Sequence, residues 1–211
     1  MLSTHRFRRP AMLSPQEAEQ IAGDIDPAVR SELAHTTAGA LVLGGRDGAE
    51  DPDLVRRLIT LVDTEGLDTV ASMWSQSPAD TLPGALWRLY LLREWTRRDP
   101  HTIAERYHLG LHRAEVAGVV AGVASPPGPD QIRELADAVL SGVFRGDLDV
   151  TLDRAAAFLR VLATGSAMDA DWVELDDRDR ATRLTRNAGA LLDTATDLEN
   201  AAALWRAGRL D

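Results

Sequence analysis

Apolar residues along this chain recur at helical intervals, and the intervals are punctuated by proline and glycine. Ser14, Pro15, Gln16 and Glu17 form a capping box with proline at the first helical position, which predicts a helix to about Ile25. Asp26-Pro27 repeats the signal and predicts a helix toward Leu43, stopped by Gly44 and Gly45. Asp51-Pro52 opens another, with Leu54, Leu58, Leu61 and Val62 on one face and Gly66 at its end, and a short helix holding Val70 and Trp74 follows.

The segment "LPGALWRLYLLREWTRR" is apolar around most of its circumference, at Leu86, Trp87, Leu89, Tyr90, Leu91, Leu92 and Trp95. Such a helix belongs at the centre of a bundle, with Trp87 and Trp95 buried. "SPPGP" at 125–129 is the strongest break and predicts a boundary between a helical subdomain at 1–124 and another at 130–211, or a kink within one compact domain. Beyond it the pattern predicts helices at about 130–144 and 149–164, and then an acidic loop with Asp169, Asp171, Glu174, Asp176, Asp177 and Asp179. In the long final helix, Ala181, Ala188, Ala195 and Ala202 alternate at heptad spacing with Leu184, Leu191, Leu198 and Trp205. That stripe serves an intramolecular helix pair or a homodimer, whose candidate seam is Leu184, Ala188, Leu191, Ala195, Leu198, Ala202 and Trp205. The expectation is an all-α multi-helix bundle of about nine or ten helices.

Composition narrows the chemistry. With 211 residues, 45% of them hydrophobic, the chain can bury a core without staples. It has no cysteine, so disulfides, thiolate metal sites and cysteine nucleophiles are excluded. All 23 basic residues are arginine, which excludes a phosphate-loop lysine and a Schiff-base lysine. "MLSTHRFRRPAML" has no apolar run behind its basic residues, and "AGALVLGG" and "VAGVVAGVA" are too short to span a bilayer. A cytoplasmic protein with no membrane partner is expected. The net charge of -10 disfavours phosphate backbones in general. Charge placement is uneven: between Arg88 and Arg113 there are six arginines (88, 93, 97, 98, 106 and 113) against Glu94, Asp99 and Glu105.

Inside that positive window, "IAERYHLGLHRAEV" resembles the helix-turn-helix of DNA-binding proteins at Ile103, Ala104, Leu109, Gly110, Leu111, Arg113 and Val116. The resemblance covers residues 100–123 near the middle of the bundle. It implies that Ala104 lets two helices cross, that Gly110 turns the chain, and that the second helix presents His112 and Arg113 to duplex DNA. Arg93, Arg97, Arg98 and Arg106 would then hold phosphates, and "RFRR" at 6–9 could act as a basic arm. The same segment also reads as an ordinary helix pair packed through Ala114, Gly118 and Gly122, with surface ion pairs.

Other chemistry is thin. If 100–113 were one unbroken helix, His101, Glu105, His108 and His112 would share a side in the manner of a metal-ligand row; a glycine break at Gly110 argues for solvated histidines instead. "GGRDG" at 44–48 lacks the spacing of a dinucleotide loop, the acidic run at 169–179 lacks the glycine and closing glutamate of a calcium loop, and no "GxSxG" elbow exists. The sequence therefore points to a non-enzymatic protein without a cofactor. Its leading function is regulatory DNA binding; the rival is a helical protein-interaction or scaffolding module that binds another protein and no DNA.

Overall fold

Asp26 sets the start of the first helix, its Oδ1 accepting from the Ala28 amide at 2.8 Å while Pro27 supplies a preset φ at the first position. The computed structural model describes residues 26–43, 60, 66–111, 127–140, 147–173 and 178–211, with the side chains of 169–185 left out. These hold seven helices and no strand: α1 Pro27–Leu43, α2 Leu67–Trp74, α3 Leu82–Arg98, α4 Pro100–Leu111, α5 Pro129–Leu140, α6 Leu148–Val173 and α7 Arg178–Arg206. The all-α expectation holds, with seven helices among the described residues in place of nine or ten. The helices expected at 14–25 and after Leu111 lie outside them; of the one expected from Asp51 to Gly66, the described residues are Thr60, which is helical, and Gly66.

Two long helices make the base. α6 does not stop near residue 164; it continues to Val173, so Asp169 and Asp171 are helical rather than part of a loop. Acidic residues need not break a helix, and the sequence has no glycine or proline there to force one. α7 returns antiparallel along α6, fixed by paired Arg160–Glu199 bonds at 2.6 and 2.7 Å and by Arg206 on Asp153 at 2.7 Å. This hairpin consumes the heptad stripe. Ala188, Ala195, Leu198 and Ala202 are buried inside the chain, Leu191 and Trp205 are half-buried, and the side chain of Leu184 is outside the described set. Most of the described seam residues weighed for a homodimer are thus covered within the chain, and among the described side chains of α7 Leu192 beside them is the exposed large apolar one.

α4 crosses α6 through glycine on both sides. A Cβ added at Gly110 would lie 2.0 Å from the Val161 carbonyl oxygen, and one at Gly165 would lie 1.8 Å from that of Arg106. The two backbones therefore meet with no side chain between them, and stacked Tyr107 and Phe158 rings, 5.2 Å apart, flank the crossing. This corrects one expectation. Gly110 does not turn the chain: it sits inside α4, and the positive-φ glycines among the described residues are Gly66 and Gly208. Ile103, Tyr107 and Gly110 form the packed face of α4 and Ala104 is half-buried; the second helix that Ala104 was expected to admit lies outside the described residues.

α3 touches every other described helix, as its composition requires. Thr81 caps it, accepting from the Gly84 amide at 3.2 Å, and the carbonyl of Asp211 accepts from the Leu82 amide at 2.7 Å. One buried core draws on helices from both sides of the proline-rich break, from Ala34 and Leu86 to Phe158 and Leu198. Among the described side chains the fully buried tryptophan is Trp74, whose Nε1 donates to Thr37 Oγ1 at 3.0 Å, and not Trp87 or Trp95 as expected; those two are half-buried at the edge of the core. An apolar helix cannot hide its whole circumference when neighbours cover only part of it.

Tyr90 donates its hydroxyl to Asp68 at 2.7 Å. Burial, then that hydrogen bond and the Asp68 and Glu94 charges, push its pKa up to about 12, and burial raises that of Tyr107 as well. The folded state favours the neutral phenol, so the stabilisation is complete below pH 10 and is lost as pH rises toward 12. Absorbance titration should show both tyrosines ionising above the range of free tyrosine. In Tyr90→Phe, the alkaline loss of stability should be smaller; an unchanged loss would place the sensitivity elsewhere.

Candidate functional site

The arginine window forms a corner where α3 ends and α4 begins. Asp99 closes α3 and caps α4, accepting from the Thr102 amide at 3.2 Å, with Pro100 at the first helical position. Glu94 gathers the arginines around it: Arg93 bonds to it, Arg97 reaches its Oε1 at 3.0 Å and Arg98 its Oε2 at 3.8 Å. Arg93 also bonds Asp137, tying α3 to α5. Held by two carboxylates and largely covered, Arg93 is a structural cation and is not placed to hold a phosphate. Arg97 and Arg98 do reach solvent, with side chains 52% and 76% exposed. Arg106 is half-buried beside the α4–α6 crossing, away from that pair in exposure if not in sequence. His112 and Arg113, the expected base-reading residues, lie outside the described residues, as do residues 6–9.

Because α4 runs unbroken to Leu111, His101, Glu105 and His108 do share an exposed side. His101 Nδ1 stands 3.4 Å from Glu105 Oε1, whereas the His108 Nδ1 is 2.8 Å from the Ala104 carbonyl and so is turned onto its own helix. Among the described residues no group of three His, Asp or Glu could hold a metal ion. His112, the fourth of the row, is outside them.

A different surface is built where the sequence pointed to core. On the outer side of α3, Trp87, Leu91 and Trp95 follow one another at successive turns and face α7 across an open groove of about 490 Å³. Leu92 and Leu159 line its depth, and Leu191 and Thr194 come from α7. Leu91 is 47% exposed, which for a leucine flanked by two half-buried tryptophans makes one continuous apolar surface. The groove is held open by a built end. Arg88 donates through Nε and Nη2 to Asp197 at 2.9 and 2.7 Å and through Nη1 to the Gly84 carbonyl at 2.9 Å, pinning α3 to α7. Ser75 and Ser77 close the same end. Stacking of Trp87 on Tyr90, with centroids 5.3 Å apart, fixes the first indole.

The sequence pattern assigns Trp87, Leu91 and Trp95 to core packing; in the structure their stripe borders an open groove instead. A helix apolar on all sides carries more apolar surface than one core can cover, and residues at i, i+4 and i+8 define where the excess lies. Among the described residues no helix is long and apolar enough to cross a membrane. No protein-family model, curated protein or solved structure matches the chain, so the functional reading rests on these surfaces themselves.

Proposed function

We propose that the protein is a non-enzymatic helical interaction module whose α3–α7 groove receives apolar side chains of another protein. The observation that carries this reading is the exposure of Leu91 between Trp87 and Trp95 in an open groove that the chain's own described helices leave uncovered. Aromatic anchors in a partly formed apolar trough are the usual seat of binding energy at protein interfaces. The arginine corner fits this reading too, since ion pairs around Glu94 brace the far end of α3. A photo-crosslinking residue placed at Leu91, in cells that make the protein, should yield a discrete protein adduct. The same residue at Val150, equally exposed on α6, should not. Equal labelling from both positions, or none from Leu91, would count against the groove.

A second reading, regulatory binding of duplex DNA, is favoured by one observation: Arg97 and Arg98 stand exposed side by side on the last turn of α3. Two phosphate contacts would give binding that falls with salt, by a slope of about two in log–log terms. Replacing both with alanine should flatten that slope by about the same amount. Duplex binding indifferent to the double substitution would remove this corner from any DNA interface.

A further inference from the structure

We infer that the groove receives the same surface of a second copy of this chain, two α3 helices pairing antiparallel about a two-fold axis at Leu91. This names the partner of the interaction module above and rests on that reading. A contact between identical copies closes only if the surface complements itself, residue i meeting j while j meets i. The exposed stripe of α3 has that property. Trp87 and Trp95 stand four residues before and four residues after Leu91, which at 47% is the most exposed of the three. With the helices antiparallel, each Leu91 meets its counterpart and each Trp87 meets the partner's Trp95. From Trp87 to Trp95 the stripe extends about 12 Å at the helical rise, so the whole of one stripe lies along the other.

Charge agrees with this pairing and fixes its direction. Arg88 and Glu94 hold mirrored places three residues from Leu91, and each is already bonded within the chain, Arg88 to Asp197 and Glu94 to Arg93 and Arg97. No unmatched charge is therefore brought to the axis. Further out, the two ends of the stripe differ. Arg98 lies seven residues after Leu91, on the same side of the helix, is 76% exposed and reaches Glu94 only at 3.8 Å. Gly84 holds the mirrored place, and the turn at 75–80 lies over it: a Cβ there would meet the Pro78 carbonyl oxygen at 1.7 Å. That turn carries exposed Asp80, which pairs with no described cation, and Ser75, whose hydroxyl donates to the Ser72 carbonyl at 2.7 Å and keeps its oxygen as an acceptor. Arg98 of each copy thus meets the acidic turn of the other, twice over by symmetry. Parallel pairing would set the two Arg98 side chains together, a repulsive arrangement.

The chain has no cysteine, so single cysteines placed in the full-length protein report contacts between copies. On mild oxidation, Leu91→Cys should form a disulfide-linked dimer about tenfold faster than Val150→Cys, at an equally exposed residue of α6. In an equimolar mixture of Trp87→Cys and Trp95→Cys, the mixed dimer should exceed the roughly twofold excess over each like dimer that random pairing gives. Sedimentation equilibrium of the wild type should show a dimer with a dissociation constant on the order of tens of micromolar, as befits a contact at the small end of specific interfaces. Leu91→Asp should sediment as a monomer with unchanged helical circular dichroism. Arg98→Glu should weaken pairing by about threefold, and adding Asp80→Arg should restore it. A wild type that stays monomeric at millimolar concentration, or a dimer that Leu91→Asp leaves intact, would overturn the inference. Like disulfides outnumbering the mixed one would overturn the antiparallel arrangement. If the wild type is monomeric and crosslinking from Leu91 captures a different protein, the groove stands as a binding site and self-pairing is wrong.

Discussion

Gly110→Ala is expected to destabilise the protein by about 3 kcal/mol, at the upper part of the range for overpacked cores. The new methyl would lie 2.0 Å from the Val161 carbonyl oxygen, and that atom belongs to the backbone of α6 and cannot rotate away. α4 must separate from α6, loosening the contact of Tyr107 with Phe158. Gly165→Ala should behave alike, because its Cβ meets the Arg106 carbonyl at 1.8 Å. The sign reverses elsewhere. Gly39 and Gly189 are interior to α1 and α7, and a Cβ at either meets nothing within 4 Å. Alanine there should stabilise by ~0.5 to 1 kcal/mol, through helix propensity alone. Denaturant melts of the four variants check this directly. Stabilisation by Gly110→Ala would mean that the glycine is not at a helix crossing.

Trp74→Ala should cost ~3 to 5 kcal/mol, the range for removing a large aromatic from a core. Trp74 is wholly covered and bonded to α1, and its removal leaves the Thr37 hydroxyl without its indole partner. Trp74→Phe keeps most of the volume and should lose ~1 kcal/mol for the hydrogen bond and the smaller ring. Trp87→Ala, by contrast, removes a half-buried ring from the groove wall, and its cost should fall below about 2 kcal/mol. A larger loss for Trp87→Ala than for Trp74→Ala would invert the assignment of core and surface.

Much of the helix plan was readable because its signals are local. Asp26-Pro27 starts α1 where a short polar side chain and a fixed φ predict it, and the helix reaches Leu43 as expected. Val70 and Trp74 do lie on one buried face of α2. What failed depended on residues distant in sequence. A glycine near a helix end suits a turn or a close crossing equally well, and the partner that decides is Gly165 on another helix. Arg93 looks like a phosphate contact within its own segment, and only the fold brings Asp137 to it. The acidic stretch after residue 168 suggested a loop because charge was weighed above helix propensity. The groove escaped notice for a related reason: periodicity identifies an apolar face but not which face remains uncovered once every helix is in place.

The groove, and not the core or the arginine corner, is where this protein is expected to bind. The five tryptophans provide built-in reporters, since each indole N–H gives its own resonance in a nitrogen–proton correlation spectrum. On titration with a partner that seats apolar side chains in the groove, such as a leucine-striped model peptide, the signals of Trp87 and Trp95 should move together and saturate, while that of Trp74, sealed in the core, stays in place. Saturable binding that leaves Trp87 and Trp95 unmoved, or that shifts Trp74 as much as either, would contradict the account.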